Sequence, residues 1–290
     1  MPEGPEVHTI VDQLFPTLVG RYLLSIKWDI KSKYRNGMTM YDNLSLHLPV
    51  QIKDVTCKGK QIFFELHSEY VVNDVKNTCI FYINCTLGME GRWTKEPTKH
   101  CNLWFELGDV IKGENVKIQI FEENLYFDDS RHFGNITILT ESEYENKLKS
   151  IGPDLISDDI NTGEWLSKAN NPRIKNKQIC DYLMDQKYFS GVGNYLKSEI
   201  LYDAKIKPDR IMGDLYENEL ITIFKCAKYK IQESYQSNGL TIRSYISPNG
   251  EPGTFVLSVY GKEMDPHGNT VVKTVFKDKR TTHWVPSVQT

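Results

Sequence analysis

The residues best suited to covalent chemistry open the chain: Met1, Pro2, Glu3, Gly4, Pro5, Glu6. Proline is small enough for Met1 to be trimmed, which would leave Pro2 as a secondary amine carrying no acyl group. Once it loses its proton, such an amine can attack a sugar C1′ and form an iminium. Glu3, the next residue, brings a carboxyl group able to shuttle protons to a sugar ring oxygen or a departing base. The same stretch would also serve as a plain, frayed chain start followed by a helix cap.

A second chemically suggestive segment is LMDQKYFSGVGNYLKSEIL, residues 183–201. Gly191 and Gly193 permit a tight turn in which backbone N–H groups converge, and Asn194 is expected as the N-cap of the helix that follows. A glycine turn feeding a helix N-terminus suits an anion such as a DNA phosphate, although an ordinary helix-turn-helix corner has the same pattern. The formal net charge is −3, but the cations bunch locally. Lys168, Arg173, Lys175 and Lys177 form one group, and Lys273, Lys277, Lys279 and Arg280 form another that contains only Asp278 as an acid. Local basic patches of this kind can neutralise phosphates on a neutral background, and they can equally be solvated faces.

The elements that must carry these residues follow from periodicity. Val7, Ile10, Val11, Leu14 and Leu18 recur at helical spacing from about Glu6 to Val19. Between about Arg21 and Leu139 the texture changes to short β-rich segments such as QIFFELH, TCIFYIN and VKIQIF, with Glu122-Glu123-Asn124 expected as a hairpin turn. A β-sandwich or flattened barrel is the expected architecture there. After Thr140 the β pattern stops. ESEYENKLKS reads as a polar helix before a Gly-Pro hinge, and residues 175–206 read as a helix, a two-glycine turn and a second helix. Another helix is expected from about Leu215 to Gln236, and the tail as a hairpin from Phe255 to Trp284 turning at Gly268-Asn269.

Composition narrows the class. With 290 residues, 40% of them hydrophobic, the chain can bury two cores, and it has no apolar run of membrane-spanning length and no secretory signal. The six cysteines are irregularly spaced and never form CxxC, which argues against a disulfide framework and against a metal knuckle.

Three separated motifs, PEGPE at the start, LMDQKYFSGVGNYLKSEIL, and VYGKEMDPHGNTV near the end, together resemble the formamidopyrimidine-DNA glycosylase and endonuclease VIII family over nearly the whole chain. The resemblance implies an α+β protein: an N-terminal antiparallel β-sandwich with flanking helices, a C-terminal helical domain with a helix-two-turn-helix, and DNA bound in the cleft between them. The expected divisions are 1–140 for the catalytic β-sandwich, 141–155 for a hinge, 156–250 for the helical domain and 251–290 for a finger hairpin. The resemblance further implies Pro2 as Schiff-base nucleophile and Glu3 as proton donor. Lys60 in CKGKQIFFEL, with Lys58 as the alternative, would contact phosphate and assist β-elimination. Asn194 would bind phosphate, His100 would contact DNA, and Met89, Arg131 and Phe133 would fill the void left by an everted nucleotide. Base flipping is required because C1′ is out of reach inside an intact stack.

The chain departs from the family where many members carry a four-cysteine zinc finger. No cysteine follows Cys226, and His267 and His283 are too few to make a structural zinc site. The tail therefore resembles the zincless finger of the eukaryotic endonuclease VIII-like 1 branch. Arg280 would contact phosphate and help δ-elimination, and Val272, Val275, Phe276 and Trp284 would replace the metal structurally. Gly4 favours the endonuclease VIII side, hence oxidised pyrimidines and ring-opened purines as substrates. Arg243 and Tyr245 lie in a segment matching a lesion-covering loop and could touch the extruded base, with no role assigned to either.

The function expected is a bifunctional glycosylase and abasic-site lyase acting by β,δ-elimination, with no metal or organic cofactor. Its partner is expected to be damaged double-stranded DNA, with single-stranded DNA as an alternative, and not a membrane. It is expected to be a monomer inside the cell, wherever the genome is. The alternatives are an 8-oxoguanine-directed glycosylase and a non-catalytic damaged-DNA-binding protein.

Overall fold

A computed structural model describes residues 2–112, 117–240 and 253–290. They divide into two compact units: residues 2 and 7–149 belong to one, and residues 3–6, 150–240 and 253–290 to the other.

The first unit is built on helix α1 (Gly4–Leu18) and an antiparallel sheet. The sheet comprises β1 (Tyr22–Trp28), β2 (Val50–Lys58), β3 (Gln61–Val72), β4 (Val75–Thr86), β5 (Arg92–Thr94), β6 (Cys101–Lys112), β7 (Lys117–Asp128) and β8 (Asn135–Thr140). A short helix, α2 (Tyr41–Ser45), lies between β1 and β2. The apolar face of α1, at Val7, Ile10, Val11, Leu14 and Leu18, is buried in the same core as the inward residues of the strands.

All eight strands form one hydrogen-bonded sheet, in the order β5-β7-β6-β1-β2-β3-β4-β8. The expected sandwich arises because this sheet folds over on itself. Trp93 of β5 meets Phe64 of β3 edge-on, with ring centroids 5.4 Å apart, although four strands separate them along the sheet. Phe64 likewise meets Phe105 of β6 at 5.6 Å. Register shifts in β1, β2 and β6 supply the bends that such closure requires.

The hairpin turn expected at 122–124 is not there. Strand β7 runs through it, Leu107 pairs with Glu123 and Gly108 with Phe121, so Glu122 is a bulge. The bulge sets neighbouring side chains towards one partner: Arg21 binds Glu122 at 2.6 Å and also Glu123. The pairing of β6 with β7 extends to Lys112 and Lys117.

Helix α3 (Glu141–Ser150) follows β8, and its Tyr144 stacks on Tyr82 of β4 with ring centroids 3.7 Å apart. The second unit contains α4 (Thr162–Ala169), α5 (Ile179–Met184), α6 (Asn194–Asp203) and α7 (Glu217–Gln236), and Trp165 of α4 packs against α5 and α7. Its indole N–H donates to Leu220 O at 2.9 Å, and its rings pack on Phe189 and Phe224. Asn161 starts α4 with a capping box completed by Glu164.

The tail differs from expectation in its turn. Its strands are only β9 (Val272–Val275) and β10 (Thr281–Trp284), so the hairpin reverses over 276–280. Gly268 and Asn269 form a separate, earlier turn, closed by Asp265 N–H to Asn269 O at 2.9 Å. Among the described residues no helix is long and apolar enough to cross a membrane.

Candidate active site

The start of the chain is a fixed structure. Pro2 is buried and Glu3 is only 2% exposed. The Glu3 carboxylate accepts the N–H groups of Gly193 at 2.7 Å, Tyr195 at 3.0 Å and Leu196 at 3.3 Å. These are the free N–H groups at the start of α6, so a carboxylate sits where a helix N-terminus attracts negative charge. Gly193 is required by this approach, because a Cβ there would overlap the Glu3 carboxyl group. Gly4 N–H adds a bond to Gly191 O at 2.8 Å.

Glu6 secures the same turn from below. It is fully buried, and its oxygens accept Glu3 N–H at 2.7 Å, Leu240 N–H at 2.7 Å and the Tyr195 hydroxyl at 2.8 Å. Burial pushes its pKa up, against the opposing pull of the Leu240 and Glu3 N–H groups. Leu240 directly precedes the segment that carries Arg243 and Tyr245, and those two residues lie outside the described ones.

Asn194 is not the N-cap. Gly193 holds that position and Asn194 is the first helical residue, with its side chain directed to other partners. Its Nδ2 donates to Thr281 O at 2.8 Å and its Oδ1 accepts from Lys197 Nζ at 2.8 Å. Lys197 is fully buried and pairs with Asp278, whose side chain is 2% exposed. The other Asp278 oxygen accepts the Arg280 N–H at 3.1 Å, while the Arg280 side chain is exposed.

The finger is held by carboxylates more than by the apolar residues expected for that task. Val275 is 64% exposed and adds nothing to the finger's core; Val259, Val271 and Val285 are buried with Tyr202 instead. Trp284 does contribute, through its indole N–H to Thr274 Oγ1 at 3.0 Å and its ring against Phe276. Glu199 of α6 accepts three successive N–H groups, from Ser258, Val259 and Tyr260. Asp265 closes the first turn, bonding His267 N–H, Asn269 and the Tyr202 hydroxyl. Burial works to raise the Asp265 pKa, but the bonds from Asn269, Tyr202 and His267 together outweigh it and bring it down to about 2. The donor set does not fit a structural zinc: among the described residues no three His, Cys, Asp or Glu side chains are grouped to hold a metal ion.

The first unit presents a compact loop cluster. Met89 is half-buried, while Arg131 and Phe133 are exposed, the latter at 58%. The Arg131 guanidinium lies 4.9 Å from the Phe133 ring centroid. Gly88, at φ 62°, packs its backbone directly on that of Phe133 and Gly134, and Ser130 bonds Glu90, so the loops of Met89 and Arg131 are locked together. His100 is exposed at the edge of a cavity of about 480 Å³, and its carbonyl accepts the Asp129 N–H at 3.1 Å. Lys60 is half-buried in the two-residue turn between β2 and β3, where Lys58 pairs with Gln61.

From the sequence, Lys197, Glu199 and Asp265 carried no assigned role, and Glu6 only its place in the opening motif. Lys197 and Glu199 were visible only as charged residues inside an apolar helical pattern, which is the one signal that marked them.

Comparison with known proteins is consistent across the chain. The formamidopyrimidine-DNA glycosylase N-terminal domain matches residues 1–136, the H2TH domain residues 151–245, and the C-terminal domain residues 249–290. A formamidopyrimidine-DNA glycosylase of Marinomonas sp. (strain MWYL1) is 29% identical over 265 residues, covering 90% of this chain and 89% of that protein. One from Cytobacillus firmus is 28% identical over the full length of both. Among solved structures, the MutM (Fpg) protein from Thermus thermophilus is similar with a TM-score of 0.79 and 26% identity, covering 99% and 98% of the two chains. Lactococcus lactis Fpg in complex with DNA containing an abasic site has a TM-score of 0.79 and 25% identity, covering 99% of each chain.

Proposed function

The chain belongs to the formamidopyrimidine-DNA glycosylase family and is a DNA glycosylase of base excision repair, and we propose that it works through a Schiff base formed by Pro2. One observation carries the mechanism: the Pro2-Glu3 start is buried, with Glu3 held by three backbone N–H groups, where a frayed terminus would be exposed. A nucleophile must be held in position to gain from proximity, and this start is held.

With Met1 removed, the Pro2 nitrogen loses its proton and attacks C1′ of an everted damaged nucleotide. The N–C1′ bond forms as the bond from C1′ to the base breaks, and the base leaves with a proton relayed through Glu3. The Pro2 nitrogen loses its remaining proton and its lone pair opens the sugar ring, breaking C1′–O4′ as O4′ takes a proton from Glu3, to give the iminium. This acidifies C2′–H; loss of that proton expels the 3′ phosphate, a second elimination expels the 5′ phosphate, and water hydrolyses the remaining iminium to free Pro2. Lys60 and Arg280 assist these eliminations by binding the departing phosphates. Asn194 contributes a phosphate contact through the amide hydrogen that Thr281 does not use, because a carboxamide has two. Met89, Arg131 and Phe133 enter the duplex in place of the everted nucleotide, which their shared, partly exposed cluster supports. His100 contacts DNA beside them. Damaged double-stranded DNA is the partner, and the enzyme acts on it as a monomer where the genome is.

Oxidised pyrimidines and ring-opened purines are the proposed substrates. The test is borohydride reduction during incubation with duplexes bearing thymine glycol, 5-hydroxyuracil, 8-oxoguanine or a bare abasic site. A covalent protein–DNA adduct is expected with the abasic duplex, and one residue inserted before Pro2 is expected to abolish it. Binding without any adduct would instead mean a non-catalytic binder, and faster release of 8-oxoguanine than of 5-hydroxyuracil would overturn the substrate class.

A further inference from the structure

The finger's own cross-link stands out among the groups that the chemistry does not use. Lys197 and Asp278 are a fully buried ion pair joining α6 to the reversal of the β9–β10 hairpin. A buried pair of this kind gains little stability over two apolar side chains, because desolvation offsets its attraction. Its use is therefore more readily found in what each charge orients. Lys197 Nζ donates to Asn194 Oδ1 at 2.8 Å, which fixes the rotation of that amide: the oxygen must face Lys197, so the NH₂ faces Thr281 O. Asp278 uses its second oxygen to accept the Arg280 N–H at 3.1 Å, and the turn is closed by Lys279 N–H to Phe276 O at 3.0 Å. Gln178, at the start of α5, accepts the neighbouring Lys277 N–H at 3.1 Å.

We propose that the Lys197–Asp278 pair is a metal-free clasp that positions Asn194 and Arg280 together as one phosphate-binding pair. Asn194 is on α6 and Arg280 on the hairpin reversal, so nothing in the local chain sets their separation. The clasp fixes it with one charge bonded to each side, alongside the bonds from Asn194 Nδ2 to Thr281 O and from His283 N–H to Ser198 Oγ. A structural zinc cross-links the side chains that ligate it; here an ammonium–carboxylate pair joins the finger turn to the helix that carries the partner residue. The inference rests on the phosphate roles given above to Asn194 and Arg280, and both are positioned, not replaced, by the pair.

The test compares the full-length protein with Lys197→Met, with the double variant Lys197→Met/Asp278→Leu, and with Asn194→Ala and Arg280→Ala. The double variant removes both charges, so no unpaired buried ion remains to unfold the protein. Binding to a duplex containing a tetrahydrofuran abasic analogue is measured as a function of salt. Each lost phosphate contact lowers the slope of log K against log salt by about 0.9. The double variant is expected to melt within a few degrees of the parent, to lose about two contacts' worth of slope, and to bind roughly tenfold more weakly at physiological salt. At saturating abasic DNA its rate of borohydride trapping, which precedes the eliminations that Arg280 assists, is expected to stay within about twofold, while the eliminations slow. Hydrogen exchange without DNA is expected to rise in residues 276–281 and in the first turn of α6. A double variant with the parent's slope and exchange pattern would overturn the clasp. Unchanged slopes in Asn194→Ala and Arg280→Ala would instead sink the phosphate reading, and the exchange measurement would then decide the clasp alone.

Discussion

The Gly193 N–H donates to Glu3 Oε2 at 2.7 Å, across 190 residues of chain and with no room for a side chain at position 193. That contact ties the residue next to the proposed nucleophile to the N-terminus of the helix proposed to bind phosphate. Replacing Gly193 with alanine is therefore expected to displace Glu3, cost about 1–3 kcal/mol of stability, and lower base excision at least 100-fold. Thermal melting and single-turnover excision on the same preparation check both halves. Parent-like excision would show that the Glu3 position does not matter.

Glu3→Gln keeps the size of the side chain and one carbonyl oxygen, but cannot carry a proton between the amine and the base. Release of an intact damaged base is expected to fall by about 10²–10⁴-fold. Borohydride trapping on a preformed abasic site, where no base has to leave, is expected to persist. Equal losses in the two assays would remove Glu3 from the proton path and leave it a purely structural cap.

Phe133 is exposed and rests on the Arg131 guanidinium. Truncation to alanine removes no buried contact, so stability is expected to change by less than about 0.5 kcal/mol. Binding to abasic duplex is expected to weaken roughly tenfold, with a smaller change for undamaged duplex, because base-step insertion is useful only where a nucleotide has left the stack. A parallel loss on both duplexes would point to a simple surface contact.

His283, in β10, is 8% exposed and rests against Tyr260, with ring centroids 4.7 Å apart. Burial lowers its pKa below 6.5, and Lys273 and Lys197 lower it further by repulsion. A depressed pKa means the neutral imidazole is the stabilised form. Its contribution is present above the unfolded pKa of about 6.5 and is lost as pH falls through the folded value. The parent is therefore expected to lose stability below about pH 6 relative to His283→Phe, seen as a pH-dependent difference in Tm between the two across a pH series. A difference independent of pH would contradict the assignment.

Much of the architecture was legible because it is written in local periodicity. The α1 stripe from Val7 to Leu18 predicts its own buried face, and the alternation in QIFFELH and TCIFYIN predicts β3 and β4 with their core residues. The errors came where a long-range partner overrode a local signal. Glu122-Glu123-Asn124 has turn composition, but Arg21 binds both carboxylates and the strand continues through a bulge. Gly268-Asn269 does form a turn, yet the strands pair later, across 276–280. Val275, expected to help replace the metal, is exposed, since a two-stranded hairpin has only one covered face.

The sequence by itself determined which chemistries were available: an amine at Pro2, a carboxyl at Glu3, a glycine turn before Asn194, and cations around Arg280. These depend on residue identity and short spacing, which survive in one dimension. Only the tertiary structure decided that Glu3 caps α6, that Glu6 joins Glu3 to Leu240, and that Lys197 meets Asp278. Apart from the local Glu3–Glu6 bond, those contacts join residues 81 to 234 positions apart, and no local propensity encodes them. They exist because buried charges and free helix N–H groups must find partners, and packing selects which partners come within reach.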